Sequence, residues 1–437
     1  MMRGRRILGF ALISFLALAC PASTVSAGVA PGDVIDQSNW QKVEGLVPEP
    51  LLNWIKQGDS IKVAELPYNP GEFYPSFVLD SLTANVGKYG LNADDVIVDV
   101  KTGKLPEFIV GLPFPKIELD DPKAGQKIMF NKYYYQYSFG NTRSAFLLKW
   151  IGRNRGFERS IKAEQYMLVL DGHPAAKEER RQDNELVLTS ARVVHPPDVS
   201  GTNTLNWRYR DERQDFSHVY MPAIRRLRRM SPANRSDSFL GSDMCADDNW
   251  GYAGKVGAFD WKVVRKTEAL MPFAFDQEVP VRIFVNDDGE WETEKTGREI
   301  ILGYQKEGYQ GAPWFGTSVI FVKRPAYVLE CKSKDRYYNY GTQYLWVDAE
   351  FYMPVYKVIH DRAGDYWKCL TTFMVALSSE DGKVRMIAPG GQMAVDDRSQ
   401  HASVGLAGGA ATGESSIFWA ILDRNDFSLA GFLKLCK

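Results

Sequence analysis

Long hydrophobic runs are almost absent from this 437-residue chain. The one candidate, Ile7 to Ala19, is too short to cross a bilayer as an uncut helix, which needs about 20 apolar residues. Cysteine is scarce, at 5 residues, and none stands in a CxxC, so a zinc ribbon or a thioredoxin-like redox site is excluded. Histidine is as rare: His173, His195, His218, His360 and His401 are the whole supply. No HExxH, GxSxG, P-loop or GxGxxG occurs, so no catalytic or nucleotide-binding motif is legible. A basic excess is missing too. The 53 Lys+Arg stand against 54 Asp+Glu, a net charge of −1, without the global positive field of a nucleic-acid binder.

What is present begins with an export signal. Arg3, Arg5 and Arg6 precede the short apolar stretch, and "VSA" at 25–27 is a small-residue cleavage site, so residues 1–27 are expected to be removed. The mature chain then holds 50 basic against 54 acidic residues, a net −4. A second reading takes "ALAC" at 17–20 as a loose lipoprotein box, with Cys20 as an acylated N-terminus. Soluble export to the periplasm is the expectation, and anchoring at Cys20 the alternative. Cys245, Cys331, Cys369 and Cys436 remain, an even number that permits two disulfides in an oxidising compartment or four buried thiols.

Residues 28–90 form a partly helical segment. Trp40, Val43, Leu46, Leu51, Leu52 and Ile55 are spaced for two short pieces broken at Pro48 and Pro50, and Phe77, Leu79, Leu82 and Val86 for another. From about 91 to 378 the period becomes that of strands. "DDVIVDVKTGKLPEFIVGLPFP" predicts two strands about a turn at Thr102-Gly103, and "QKIMFNKYYYQYSFGN" another strand. Strands are expected at 343–348, 354–360 and 365–377, joined by turns at Ala349–Met353 and Asp361–Gly364. Many antiparallel strands with little helix between them make the fold mainly β, one large sheet or barrel. Residues 379–437 are expected to be a Gly/Ala-rich loop and a closing segment.

Chemistry has few candidates. The acidic pairs Asp120/Asp121, Asp247/Asp248, Asp287/Asp288 and Asp396/Asp397 fall at turns, where Asp caps backbone groups, and no metal set or cofactor is expected. The "HVYMPAIRRLRRMSPANRSDSFLGSDMCADDNWGY" segment stands out. As a strand it places Arg226 and Arg228 on one face and Arg225 and Arg229 on the other, with Pro222 at an edge or bulge.

Tyr220-x-Pro222-Ala223, the arginines around Leu227, and the Gly241-Ser242-Asp243…Asp247-Asp248 loop resemble a signature of LolA/LolB-like carriers. In particular they resemble the proteobacterial envelope family of domain of unknown function 1329, labelled outer membrane lipoprotein-sorting protein. "GDVIDQSNWQKVEGLVPEPLLNWIKQGD", "EFIVGLPFPKIELDDPKAGQKIMFN", "DWKVVRKTEALMPF", "RPAYVLECKSKDRYYNYGTQYLWVDAEFYMPVYKVIHDRAGDYWK" and "HASV" fit the family in order, across nearly the whole mature chain. The resemblance implies a curved, incompletely closed antiparallel half-barrel with helices across its concave face and an apolar cavity between them. It implies a non-enzymatic periplasmic carrier or chaperone for a lipid-like or acylated molecule. By analogy its partners are an inner-membrane exporter of the resistance–nodulation–division type and an outer-membrane β-barrel. A lipid-acting envelope hydrolase and a non-binding scaffold of an outer-membrane complex are the alternatives. Exposing an acyl tail costs roughly 0.8 kcal/mol per CH₂, so a carrier must supply an apolar sleeve. The segments 40–56 and 74–88 are the candidate lids.

The arginines have two serious readings: a structural lock on Asp243, Asp247 or Asp248, or a site for a lipid phosphate or carboxylate. Export and net charge oppose a nucleic-acid patch. If disulfides form, Cys331–Cys369 is the first expectation, since both fall in strands of one sheet region.

Overall fold

A computed structural model describes residues 28–178, 181–275 and 279–436. The expected leader and Cys20 lie outside the described residues. The chain opens with β1 (Val34–Ile35), helix α1 (Glu49–Lys56) and β2 (Ile61–Ala64), then helix α2 (Ser76–Ala84) and a small hairpin of β3 (Tyr89–Leu91) and β4 (Ile97–Asp99). Helix α3 (Ala124–Tyr137) leads into β5 (Thr142–Gly152), β6 (Gly156–Val169), β7 (Glu185–His195), β8 (Asn203–Tyr209), β9 (Phe216–Met221) and β10 (Arg226–Arg229). After a long loop come β11 (Phe259–Ala274), β12 (Val281–Val285), β13 (Trp291–Thr293), β14 (Val319–Ser333), β15 (Gln343–Asp348), β16 (Pro354–His360), β17 (Tyr366–Ser379), β18 (Arg385–Asp396) and β19 (His401–Ala407). Helix α4 (Gly409–Thr412), β20 (Ile417–Phe418) and helix α5 (Leu429–Leu435) close the chain.

The strands pair antiparallel in the spatial order β11–β14–β15–β16–β17–β18–β19–β5–β6–β7–β8–β9–β10. The two halves of the chain therefore meet where β19 pairs with β5. β2 adds to β14 and β12 to β17 as parallel neighbours, and β13 and β20 link β12 to β5. The sheet is not closed into a barrel, because β10 pairs with β9 alone and leaves an edge. Strands β15 to β17 are buried on both faces, so they read in sequence as apolar runs rather than as alternation.

The strands and turns expected over 343–379 are present, with ends within a residue or two. Helix α1 lies where Leu51, Leu52 and Ile55 predict it, buried with Trp54. Elsewhere tertiary context overrides the local pattern. Residues 124–137, read as a strand, are helix α3. Its four tyrosines favour strands on propensity. It is buried on every side, so no amphipathic stripe marks it as a helix. The second strand expected after Thr102-Gly103 does not form; only Val110 makes an isolated bridge, to Gly172. The stretch after 379 holds β18 and β19 rather than a loop. Its glycines serve close packing: a Cβ on Gly391 would stand 3.1 Å from both the Gly405 carbonyl and Ile300 Cδ1.

The arginine segment is a hairpin, not one strand. Pro222, with fixed φ and no N–H for a ladder, starts a single 3-10 turn at Pro222–Ile224. Arg225 then takes a left-handed backbone, φ 48°, and β10 returns along β9 with Arg226 opposite Met221. Arg226 and Arg228 do share a face of β10, whereas Arg225 sits in the turn.

The Cys331–Cys369 pairing is excluded by the strand order. Cys331 on β14 pairs with Gln343 on β15, whose partner is Ile359 on β16, and β16 in turn pairs Val358 with Cys369 on β17. Three inter-strand steps of about 4.8 Å put the two thiols near 14 Å apart, twice the reach of a disulfide. Cys245, Cys331, Cys369 and Cys436 are all free thiols.

Candidate functional site

The loop 241–254 lies across one face of the sheet, and strand after strand supplies it with a polar group. Trp150 on β5 donates to the Gly241 carbonyl at 3.0 Å, and Ser403 on β19 donates to Asp243 Oδ2 at 2.7 Å. Gln392 on β18 donates to the Asp248 carbonyl at 2.6 Å, Lys368 on β17 to the Asp243 carbonyl at 3.0 Å, and Lys357 on β16 to Asp248 Oδ1 at 2.7 Å. The register Trp150–Ser403–Ala394–Leu370–Lys357 puts these groups on one face, because side chains alternate along each strand. Ser242 hydrogen-bonds locally, to the Met244 carbonyl at 3.0 Å.

None of Asp243, Asp247 and Asp248 meets Arg225, Arg226, Arg228 or Arg229; each is bonded to another side chain. Asp247 receives Arg235 Nε at 2.6 Å and the Tyr338 hydroxyl at 2.9 Å. Asp248, fully buried, receives Lys357, the Tyr340 hydroxyl at 2.8 Å and the Cys245 N–H at 2.8 Å. Burial alone would raise the Asp248 pKa, yet the Lys357 ammonium beside it holds it below the usual carboxylate range. Asp243 lies 2.7 Å from His401 Nδ1, and that bond holds the His401 pKa above its ordinary value against partial burial, with Glu158 3.6 Å from Nε2. Ser403 and His401 share the same Asp243 oxygen and do not form a nucleophile–base pair.

Arg225, Arg226, Arg228 and Arg229 are exposed, and among the described residues none of them forms an ion pair. Tyr220 and Leu227 pack on a small cluster centred on Leu168, Leu188 and Phe432, beneath α5, and Pro222 lies over Gly201. Arg235, the residue that does reach the loop, stands only six positions beyond Arg229. It was hidden in the sequence because nothing there distinguishes it from its neighbours.

A cavity of about 580 Å³ opens between α3, β8 and the loops around residues 95, 211 and 256. Tyr133, Tyr134 and Tyr137 of α3, with Leu105, Leu186 and Phe259, form much of its wall. Its cations are all engaged. Arg208 forks onto Asp215 Oδ2 at 2.9 and 3.0 Å, Arg210 meets Asp171 at 3.2 Å, and Arg235 holds Asp247. Lys255 donates to the Asp211 carbonyl at 2.7 Å, and Lys334 to Asp95 at 3.3 Å. Among the described residues, two buried polar atoms on cavity residues, Tyr137 Oη and Asp215 Oδ1, have no hydrogen-bond partner. Such atoms are rare, because an unsatisfied buried group costs about 1–3 kcal/mol. Beside them Lys132 is wholly buried, donating to the Tyr252 carbonyl at 2.6 Å and to Gln136 at 2.8 Å, and burial drives its pKa well down. The cavity residues were not legible in the sequence. They come from many short stretches scattered between Ala93 and Tyr338 and carry no motif.

Among the described residues no helix is long and apolar enough to cross a membrane, and no group of His, Cys, Asp and Glu is placed to hold a metal ion. A family model described as protein of unknown function (DUF1329) matches residues 34–416. No curated protein matches the chain. Among solved structures, an outer membrane lipoprotein-sorting protein domain from Vibrio parahaemolyticus is 16% identical, the match covering 72% of this chain and 100% of that one at a TM-score of 0.47. A DUF1329 family protein from Desulfovibrio piger is 17% identical, covering 71% and 98%, at 0.46. A LolA superfamily protein from Nitrosomonas europaea is 12% identical, covering 68% and 97%, at 0.38. At these scores the superpositions are partial, and the family match carries the assignment.

Proposed function

This chain belongs to the DUF1329 family of proteins of unknown function, and we propose that it is a non-enzymatic carrier of a lipid-like or acylated molecule in the periplasm. The observation that carries the reading is the cavity between α3 and β8. Its volume of about 580 Å³ falls within the range of ligand pockets, roughly 300–1,000 Å³. Tyrosine and leucine side chains give an alkyl or ring body an apolar surface. Every cavity cation already has an acceptor, so a hydroxyl or amine head suits the site better than a phosphate or carboxylate.

The hydrolase alternative has less support: His401 and Asp243 are absent from the cavity wall. The scaffold alternative draws on the loop 241–254, which fills one sheet face, yet a filled face beside an open cavity is compatible with carriage. An exporter of the resistance–nodulation–division type and an outer-membrane β-barrel are the partners this role would call for.

The test combines native mass spectrometry of protein purified gently from the periplasm with uptake of an environment-sensitive naphthylamine probe. A hydrophobic adduct and saturable probe uptake are expected, with uptake at least tenfold weaker in Leu105→Trp, which narrows the cavity without touching its ion pairs. Absence of both adduct and uptake in the native protein would end the carrier reading.

A further inference from the structure

The geometry points to the β9–β10 hairpin as a docking surface for a bilayer that carries anionic headgroups. The inference is independent of the cavity. Four arginines, 225, 226, 228 and 229, stand within five residues, all exposed and none in an ion pair among the described residues. This local positive charge sits on a chain whose net charge is −1. The turn between the strands exposes Ile224 at 44%. Asn203, the register partner of Tyr220, donates to the Leu435 carbonyl at 3.5 Å and to Cys436 Sγ at 3.1 Å. That brings the end of α5, with Leu435 40% exposed and Lys434 in its last turn, to the same end of the sheet.

Exposed apolar side chains flanked by cations are the pattern of interfacial membrane binding, in which the apolar groups enter the headgroup boundary while the cations meet lipid phosphates. An acidic protein partner would need a matching recess for Ile224, whereas a fluid bilayer needs none. Arginines on an edge strand also discourage strand-to-strand association. If they did only that, the chain would ignore vesicles.

The test is co-sedimentation of the full chain with vesicles of phosphatidylglycerol and phosphatidylethanolamine, and with vesicles of phosphatidylcholine alone, at two salt concentrations. Binding to the anionic vesicles that weakens with salt is expected. Each arginine near such a surface is worth about 1 kcal/mol, or about fivefold in affinity. The variant R225A/R226A/R228A/R229A should therefore bind at least about 100-fold more weakly with an unchanged melting temperature, because the side chains are exposed. The corresponding four-lysine variant should retain binding, and Ile224→Asp should weaken it. Equal binding to both vesicle types, full binding by the four-alanine variant, or binding to an acidic protein but to neither vesicle would overturn the proposal.

Discussion

Asp248 has no solvent contact, and Lys357 is 1% exposed, so their ion pair stands in the interior with its geometry set by Tyr340 and the Cys245 N–H. Removing one member leaves the other charge uncompensated, at a cost of about 3–5 kcal/mol, whereas an exposed pair is worth under about 1. Lys357→Met is expected to destabilise by that larger amount in urea unfolding, and Asp248→Asn in the same chain should return part of the loss. A cost below about 1 kcal/mol would show the pair to be solvated. His401 makes a pH-dependent contribution of known sign. Its folded pKa is raised by Asp243, so the imidazolium is favoured in the folded state. The stabilisation is complete below the unfolded value near 6.5 and disappears as pH rises through the raised folded value. The melting-temperature gap between native protein and His401→Gln should thus be widest near pH 5.5 and narrow steadily toward pH 8.5. A gap that widens with pH would reverse the assignment. At this scale the sequence paired Asp243, Asp247 or Asp248 with the wrong partners. Adjacency in the chain favoured the arginines at 225–229, while the bonds run to Arg235, Lys357 and His401, two of them more than 100 residues away.

Strand order determines what elements do with the residues they carry. Cys331 and Cys369 lie on β14 and β17 with two strands between them, and burial pushes the Cys331 thiol up to about 12 and Cys369 well above its usual value. The described thiols should therefore resist iodoacetamide in the native chain, Cys436 excepted, since it is only partly buried. All four should react after unfolding without reductant. Peptide mapping that finds a Cys331–Cys369 disulfide in the unfolded chain would contradict the strand order. Helix α3 teaches the converse lesson. Its tyrosine run reads as a strand because burial on all sides erases the periodicity that separates helix from strand. The meander from β15 to β17 was legible since its turns carry Asp, Gly and Pro between apolar runs, a local signal that tertiary packing did not override.

For the molecule as a whole, the sequence by itself determined the mainly antiparallel β class and family membership through motifs dispersed from 34 to 416. These follow from composition and from periodicities of a few residues, which a linear chain displays directly. Only the tertiary structure decided where β19 meets β5, which cations hold the 241–254 loop, and that the arginines end on a free hairpin instead of inside a lock. It also decided that a cavity lies between α3 and β8, walled by residues from 93 to 338. The physical reason is one of range. Hydrogen-bonded strand order and ion pairing join residues far apart in the chain, and which partner wins depends on burial and register, quantities that exist only once the sheet has formed.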